Sequence, residues 1–218
     1  MPLHLALASA VLRALAGDFG TAVAILVGFD CWLRISELAN LHVSDIIDQR
    51  GHPDKAFCGV VLFLRETKTG ARQAVRVADS NVATILVAWR DARAQVAGAD
   101  AALFPPASAL RANLAAALAA LLGADRGALG LDFVWHSLRH SGASCASCAL
   151  MLGADVQDIM IRGRWRCLES TRRYVQAGRH LLMSIALPPP VLTVAQRFER
   201  ARGYAVLFSP SLRQLLSP

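Results

Sequence analysis

His136 and Arg139, three positions apart, combine a group that can exchange a proton near neutral pH with a permanent cation. They lie in the segment Trp135–His140, which opens a stretch that reads as a helix, so both side chains project from one face of its first turn. A helix N-terminus also attracts anions. The pattern indicates an anion site at which a proton can be transferred, and a phosphate suits the fork of an arginine.

A zinc site is the competing interpretation of this segment. His136 and His140 are four apart, and Cys145 and Cys148 continue the same predicted helix. However, Ser137 follows His136 where a metallohydrolase helix needs glutamate, and the four side chains would meet in poor geometry. We therefore expect no metal ligands and no cofactor.

Two further basic residues stand where a charge could reach the same phosphate. Arg34, in Leu-Arg-Ile-Ser-Glu-Leu, follows a largely apolar helix, and such a charge is rarely buried without a partner. A surface pair with Glu37, worth little, is the ordinary alternative. Lys68, in Thr-Lys-Thr-Gly, stands at the tip of a predicted hairpin, where an ammonium can meet a phosphate or simply remain solvated.

A dense group of arginines surrounds Tyr174, opposed by Glu169 alone. A charge run is usually a solvated face, but beside a phosphate-directed cluster it suits a DNA backbone. Trp165, in Gly-Arg-Trp-Arg, carries an indole N–H that can donate to an oxygen, although a core anchor is the alternative. The candidate DNA-backbone contacts are Arg162, Arg164, Arg166, Arg172 and Arg173.

Composition agrees with an anionic partner. The 218 residues include 23 Lys and Arg against 16 Asp and Glu, which gives a net charge of +7. Such a surplus can serve solubility alone, and it indicates a nucleic-acid partner only together with the motifs. The longest apolar run, Thr21–Phe29, is far shorter than the roughly 20 residues of a membrane span. Leu3–Leu15 contains Arg13 and lacks the basic leader of a signal peptide. Five cysteines without paired spacing indicate a reduced, intracellular protein.

The elements that must position these residues are mainly α-helical, with one small antiparallel β-sheet. Gly70 ends a turn between the β-rich segments Phe57–Arg65 and Arg72–Val77, which predicts a hairpin. A short strand is expected near Val43–Ile47. The predicted helices are Leu3–Leu15, Thr21–Trp32, Ser36–Leu41, Asn81–Val96, Ala107–Leu122, Ser137–Leu152, Val156–Arg162 and a broken Leu168–Leu187.

Three successive prolines follow the last predicted helix. Pro188, Pro189 and Pro190 cannot continue a helix and predict a stiff spacer. The remaining residues, 191–218, read as a short amphipathic tail without recognisable chemistry.

In this order and at these spacings, the segments resemble the tyrosine recombinase (phage integrase) family over residues 20–185. The departure beside them is Trp32, which stands ahead of Leu33 where a small residue is common, and which we expect to crowd the local turn. The matched positions are Arg34 with its supporting acid Glu37, the hairpin Lys68, His136 and Arg139 of His-x-x-Arg, Trp165 where members carry His or Trp, and Tyr174 at the nucleophile.

The resemblance implies a site-specific recombinase or integrase that cleaves and rejoins DNA through a 3′-phosphotyrosine intermediate, without metal or ATP. A phenol with a pKa near 10 needs help, which the two matched arginines give by holding the non-bridging phosphate oxygens. Trp165 would add a hydrogen bond, and His136 would accept the phenol proton or donate to the phosphate. Lys68 would protonate the departing 5′ oxygen, and His140 would support His136.

The resemblance also implies a domain organisation and partners. Residues 1–187 are the expected catalytic domain and residues 188–218 the spacer and tail. Arg34 comes so early that the family's N-terminal core-binding domain is expected to be absent. The expected partner is double-stranded DNA, bound by a homo-tetramer, with no membrane and no small-molecule substrate. The expected location is the nucleus of a eukaryotic host or the cytoplasm of a bacterium, as for a mobile-element protein.

Two other activities remain open. A type IB topoisomerase uses the same chemistry to relax DNA without exchanging partners. A DNA-binding remnant that no longer cuts is the second, favoured by the missing clamp and opposed by the filled catalytic positions.

Overall fold

The chain folds as a mainly helical domain with one small antiparallel sheet, which confirms the predicted α+β class. The computed structural model describes residues 1–67, 70–123, 127, 133–139, 155–174, 185–201 and 204–209. Its helices are α1 (Leu3–Leu15), α2 (Phe19–Asp30), α3 (Ile35–Ala39), α4 (Ser80–Ala97), α5 (Ala107–Leu122), α6 (residues 135–139), α7 (Val156–Gly163), α8 (Leu168–Tyr174) and α9 (Pro189–Arg200), and its strands are β1 (Ile46–Asp48), β2 (Val60–Thr67) and β3 (Gly70–Arg76).

Helix α2 is the centre of the core. It begins where the Asp18 carboxylate accepts a hydrogen bond from the Thr21 amide, and every residue from Gly20 to Gly28 is buried. Helices α1, α4 and α5 pack around it, so its apolar side chains face neighbours on all sides. This arrangement accounts for the high hydrophobic content. Among the described residues, no helix is both long and apolar enough to cross a bilayer.

The sheet has the strand order β1-β2-β3, with both pairings antiparallel. The pairing of β2 with β3 confirms the predicted hairpin, with Leu62 paired to Val75 and Thr67 to Gly70. The expected strand near Val43–Ile47 differs, because Val43–Asp45 forms a 3₁₀ helix in which the Asp45 carboxylate accepts from the His42 amide. The sheet side facing the helices is apolar because alternate residues of β2 are buried.

The proline segment differs most from its sequence interpretation. Pro189 and Pro190 occupy the first turn of α9, where the missing amide hydrogens would be unpaired in any case. Helix α9 packs on α1 through its buried Val191, Ala195 and Phe198. The interpretation of these prolines as a spacer is therefore wrong, because α9 completes the hydrophobic core.

A close approach at Gly28 brings α3 and α6 to the C-terminal end of α2. A Cβ atom on Gly28 would lie 3.1 Å from Leu38 of α3, 3.6 Å from Leu138 and 3.8 Å from Trp135 of α6. The absence of a side chain thus lets three elements meet. Arg34 and Glu37 lie at the start of α3, and His136 and Arg139 lie on α6, so this junction brings the elements that carry them together.

Candidate active site

A single buried carboxylate, that of Glu37, joins three arginines from distant parts of the chain. Its Oε1 accepts from Arg34 Nη1 at 2.7 Å, and its Oε2 accepts from the Arg34 amide at 2.8 Å and from Arg164 Nη2 at 2.7 Å. Arg139 Nη1 lies 4.0 Å from the same Oε2. Because the Glu37 side chain is only 2% exposed, the interpretation of Arg34 and Glu37 as a surface pair is wrong. Three guanidinium groups around one carboxylate leave a net positive charge.

Arg139 is fully enclosed, with a side chain that is 0% exposed. Its Nη1 donates to the Trp32 carbonyl at 2.7 Å, and its Nη2 donates to the Gly163 carbonyl at 2.6 Å. The Gly163 carbonyl ends α7, and the Trp32 carbonyl lies two residues beyond the end of α2. The cation therefore lies near the negative end of both helix dipoles, which favours it. The guanidinium therefore ties two helix ends together, which is an arrangement only a planar fork can make.

Both helix ends turn through a residue in the left-handed conformation. Trp32 has φ +52° after α2, and Arg164 has φ +54° after α7, at positions where glycine is usual. The Leu33 amide donates back to the Gly28 carbonyl, and the Trp165 amide donates back to the Met160 carbonyl. At Trp32, where we expect crowding, the structure shows a left-handed backbone, and the Trp32 carbonyl points toward Arg139.

The two tryptophans of these turns stack on each other. The rings of Trp32 and Trp165 lie 5.7 Å apart at an angle of 23°. The guanidinium of Arg162 lies 5.0 Å from the Trp32 ring, and that of Arg139 lies 5.9 Å from the Trp165 ring. Gly163 must lack a side chain, because a Cβ atom would overlap the Trp165 ring. The stack fixes the position of Trp165 beside the arginine cluster.

Replacing Trp32 by glycine is expected to destabilise the protein although glycine suits the left-handed backbone. We expect the free energy of unfolding to fall by about 2 kcal/mol, because the roughly 3–5 kcal/mol lost with a buried tryptophan exceeds the roughly 1–2 kcal/mol of relieved backbone strain. Urea unfolding measures the difference. Arg72→Gly is the matched control, since Arg72 has φ +55° and an exposed side chain, and there the free energy should rise or stay constant. A stabilised Trp32→Gly variant would contradict the proposed packing of the stack.

His136 is exposed at the start of α6, beside the cluster. Its pKa lies below the ordinary value of 6.5. The larger cause is partial burial, which disfavours the charged ring, and the smaller cause is repulsion of the protonated ring by the charges of Arg139 and Arg34. The ring is therefore neutral at pH 7 and can accept a proton. Since the folded-state pKa is the lower one, the unfolded chain binds the proton more readily, and this residue's contribution to stability is lost as the pH falls below 6.5.

Substituting Arg34 by glutamine is expected to raise the pKa of His136. The substitution removes one of the two repelling charges and leaves the Glu37 carboxylate less compensated, and both changes favour the protonated ring. NMR titration of the ring protons measures the shift, with His136→Gln identifying the resonance. Arg111→Gln, an exposed change on α5, is the control. A His136 pKa that falls or stays constant in Arg34→Gln would show that the two side chains do not interact.

Three of the sequence-predicted residues lie wholly or partly outside the described residues. Tyr174 is the last residue of α8, which packs on α7, but its side chain lies outside the described residues, as do Lys68 and His140. Their roles stay predictions. The other tyrosine, Tyr204, is buried against Phe198 with ring centroids 4.9 Å apart. Burial raises the pKa of Tyr204 to about 12, which makes it a poor nucleophile.

The five predicted DNA-backbone arginines differ in their surroundings. Arg166 and Arg172 are exposed, whereas the side chain of Arg173 lies outside the described residues. Arg162 donates to the carbonyl of Asp30 at 2.8 Å and pairs with its carboxylate at 3.1 Å. Arg164 differs from the prediction, because its side chain is 9% exposed and is paired with Glu37. Sequence reasoning missed this contact, which spans 127 positions.

Within the described part of the chain, no group of three or more His, Cys, Asp or Glu side chains could hold a metal ion. The alternative zinc ligands His140, Cys145 and Cys148 lie outside that part. The Glu37 carboxylate already has three guanidinium groups around it, so it does not attract a further cation. What the cluster offers is a compact positive charge, which suits an anion.

The fold resembles that of a solved protein. It is similar to the crystal structure of XerA recombinase, with 19% sequence identity and a TM-score of 0.54, over 90% of this chain and 62% of that chain. The chain thus spans less than two thirds of the length of that protein. The model of the phage integrase family matches residues 9–180, and the chain belongs to this family. A comparison with curated proteins gave no match.

Proposed function

We propose that this chain is the catalytic domain of a site-specific tyrosine recombinase, which cleaves and rejoins double-stranded DNA through a covalent 3′-phosphotyrosine without metal or ATP. Membership of the phage integrase family supports the class of reaction. The observation that carries the proposal is the cluster of three arginines on the buried Glu37, which concentrates positive charge beside a neutral imidazole.

The phosphate would bind where the cluster meets solvent. Arg34 is the most exposed of the three arginines, with 23% of its side chain accessible, and its position is set by two hydrogen bonds to Glu37. A guanidinium held in this way can stabilise the charge that develops on non-bridging oxygens without reorganising during the reaction. Arg139, fully buried, adds to the positive potential, and its direct contact with phosphate stays a prediction.

The reaction is a transesterification in which Tyr174 is the nucleophile. The phenol oxygen forms a bond to phosphorus, and the bond from phosphorus to the 5′ oxygen breaks. His136 takes the phenol proton, which its lowered pKa permits at neutral pH, and Lys68 gives a proton to the 5′ oxygen. Trp165 is proposed to donate its indole N–H to the phosphate. Attack by the free 5′ hydroxyl reverses the steps and rejoins the strand.

The exposed arginines extend the positive surface beyond the reacting phosphate. Arg166 lies just before α8 and Arg172 lies within it, and this helix ends at Tyr174. Backbone phosphates flanking the cleavage point are their proposed partners, so DNA affinity should fall steeply with salt. Assembly of four copies on DNA is part of the same proposal.

Covalent capture tests the function even though the target site is unknown. A pool of duplexes with a randomised central segment and a single nick is incubated with the protein and a metal chelator, and DNA that stays on the denatured protein is sequenced. We expect an adduct with a preferred sequence, because loss of a short nicked fragment prevents rejoining. DNA binding without any adduct would contradict the proposal and favour a non-cleaving module. Relaxation of supercoiled DNA without exchange between two recovered sites would favour the topoisomerase-like alternative.

A further inference from the structure

Arg164 adopts an unusual combination of backbone and side-chain positions. Its backbone is left-handed, with φ +54°, and the side chain then turns inward and is 9% exposed. Its Nη2 donates to Glu37 Oε2 at 2.7 Å and lies 3.4 Å from the Trp32 carbonyl. Burial lowers the pKa of this guanidinium, and the Glu37 carboxylate opposes the shift. A strained, desolvated cation at this place needs a reason other than a contact with the DNA backbone.

The geometry around Glu37 supplies that reason. Oε2 is held from two directions, by the Arg34 amide and by Arg164, and this sets the rotation of the carboxylate so that Oε1 points at Arg34 Nη1. Arg139 remains at 4.0 Å from Oε2. Without Arg164, Oε2 would keep only the hydrogen bond from the Arg34 amide and the attraction of the Arg139 charge. The unopposed pull of Arg139 would turn the carboxylate toward it and weaken the hydrogen bond that Oε1 accepts from the Arg34 side chain.

We propose that Arg164 is a positioning residue that fixes the Glu37 carboxylate between Arg34 and Arg139 and thereby orients Arg34 toward the scissile phosphate. The proposal rests on the proposed function for its consequence in catalysis, but the positioning itself is a property of the free protein. Arg164 acts through Glu37 and does not touch the DNA.

The test uses Arg164→Gly, because glycine accommodates the left-handed backbone and the substitution removes only the side chain. On the DNA recovered by covalent capture, we expect adduct formation at saturating DNA to slow by about 100-fold, the size of loss that a misplaced catalytic group produces. DNA affinity should stay nearly unchanged. Arg164→Lys should be slow as well, because an ammonium lacks the fork, and it serves if the glycine variant does not fold. Added guanidinium ion at a concentration far below denaturing should restore part of the rate of Arg164→Gly.

Two comparisons separate positioning from other roles. Arg172→Gln, at an exposed residue of α8, should instead weaken DNA binding and reduce its salt dependence. Arg111→Gln on α5 should change neither quantity. Weakened DNA binding in Arg164→Gly with an unchanged rate at saturating DNA would overturn the proposal and make Arg164 a contact of the DNA backbone. An unchanged rate together with unchanged DNA binding would also overturn the proposal.

A second readout does not require cleavage. The pKa of His136 is lowered by partial burial and by the charges of Arg139 and Arg34. A rise of this pKa in Arg164→Lys, which keeps the positive charge, therefore reports that Arg34 has moved away or that Arg139 has become better neutralised, as the proposal expects. If the wild-type protein forms no adduct, the proposed function fails while the NMR titration still decides the positioning. An unchanged His136 pKa would overturn the positioning role.

Discussion

Replacing Glu37 by glutamine is expected to lower the free energy of unfolding by about 3–5 kcal/mol, the usual result of removing one partner of a buried ion pair. The amide has nearly the same shape, so little packing is lost. However, its single oxygen cannot serve donors on both sides, and its NH₂ group would face an N–H of Arg34 or Arg164. Three guanidinium groups would then lie together without a compensating charge. Urea unfolding measures the loss.

Asp45→Asn is the matched control for this substitution. Asp45 is also buried, and its carboxylate accepts from Arg65 Nε at 2.8 Å and from the His42 amide at 2.8 Å. Its arginine partner, though, is 49% exposed, so water can solvate the cation when the carboxylate is lost. We expect a clearly smaller loss for Asp45→Asn. An equal loss in the two variants would mean that Glu37 is an ordinary buried acid and not the centre of an arginine cluster.

Replacing Arg139 by methionine is expected to cost about 3–5 kcal/mol of stability as well, because methionine fills the space but donates no hydrogen bond. The Gly163 carbonyl would lose its donor inside the protein, and the Trp32 carbonyl would keep only the longer contact with Arg164 Nη2 at 3.4 Å. Helices α2 and α7 would also lose the link between their ends. Arg139→Lys should recover only part of this stability, since one ammonium cannot reach both carbonyls in the geometry of a planar fork.

Arg13→Met is the control that measures how much a less buried arginine contributes to the free energy of unfolding. Arg13 also makes two hydrogen bonds from one guanidinium, both to the Asp18 carboxylate, but 19% of its side chain is exposed. We expect a loss well below that of Arg139→Met. Equal stability of Arg139→Lys and the wild type would contradict the inference that the fork joins two helix ends.

Local elements could be predicted from the sequence where a local signal sets their boundaries. Helix α5 has the predicted bounds, Ala107–Leu122, because Pro106 precedes it and Gly123, with φ +69°, ends it. The turn glycine Gly70 likewise predicts the β2–β3 hairpin. The proline segment was not, because the same residue type that stops a helix is also favoured in a first turn. Only the apolar contacts of α9 with α1 decide between these two outcomes.

The contacts within the site are harder to predict from the sequence because they join residues that are far apart in the chain. Arg139 and the Trp32 carbonyl are 107 positions apart, and Arg164 and Glu37 are 127 positions apart. The run of arginines near Tyr174 therefore does not indicate that the Arg164 side chain turns inward while those of Arg162, Arg166 and Arg172 are exposed. The left-handed turns at Trp32 and Arg164 were hidden as well, since neither residue is the glycine that such turns favour.

The identity of the residue that carries cleaved DNA tests the proposed phosphate site most directly. After covalent capture, the adduct is digested with protease and nuclease, and the nucleotide-bearing peptide is identified by mass spectrometry. We expect the nucleotide on the peptide containing Tyr174, with the adduct lost in Tyr174→Phe and kept in Tyr204→Phe. Attachment to any other residue, or an adduct that persists in Tyr174→Phe, would contradict the proposal that the Glu37-centred arginines activate a phosphate for attack by Tyr174.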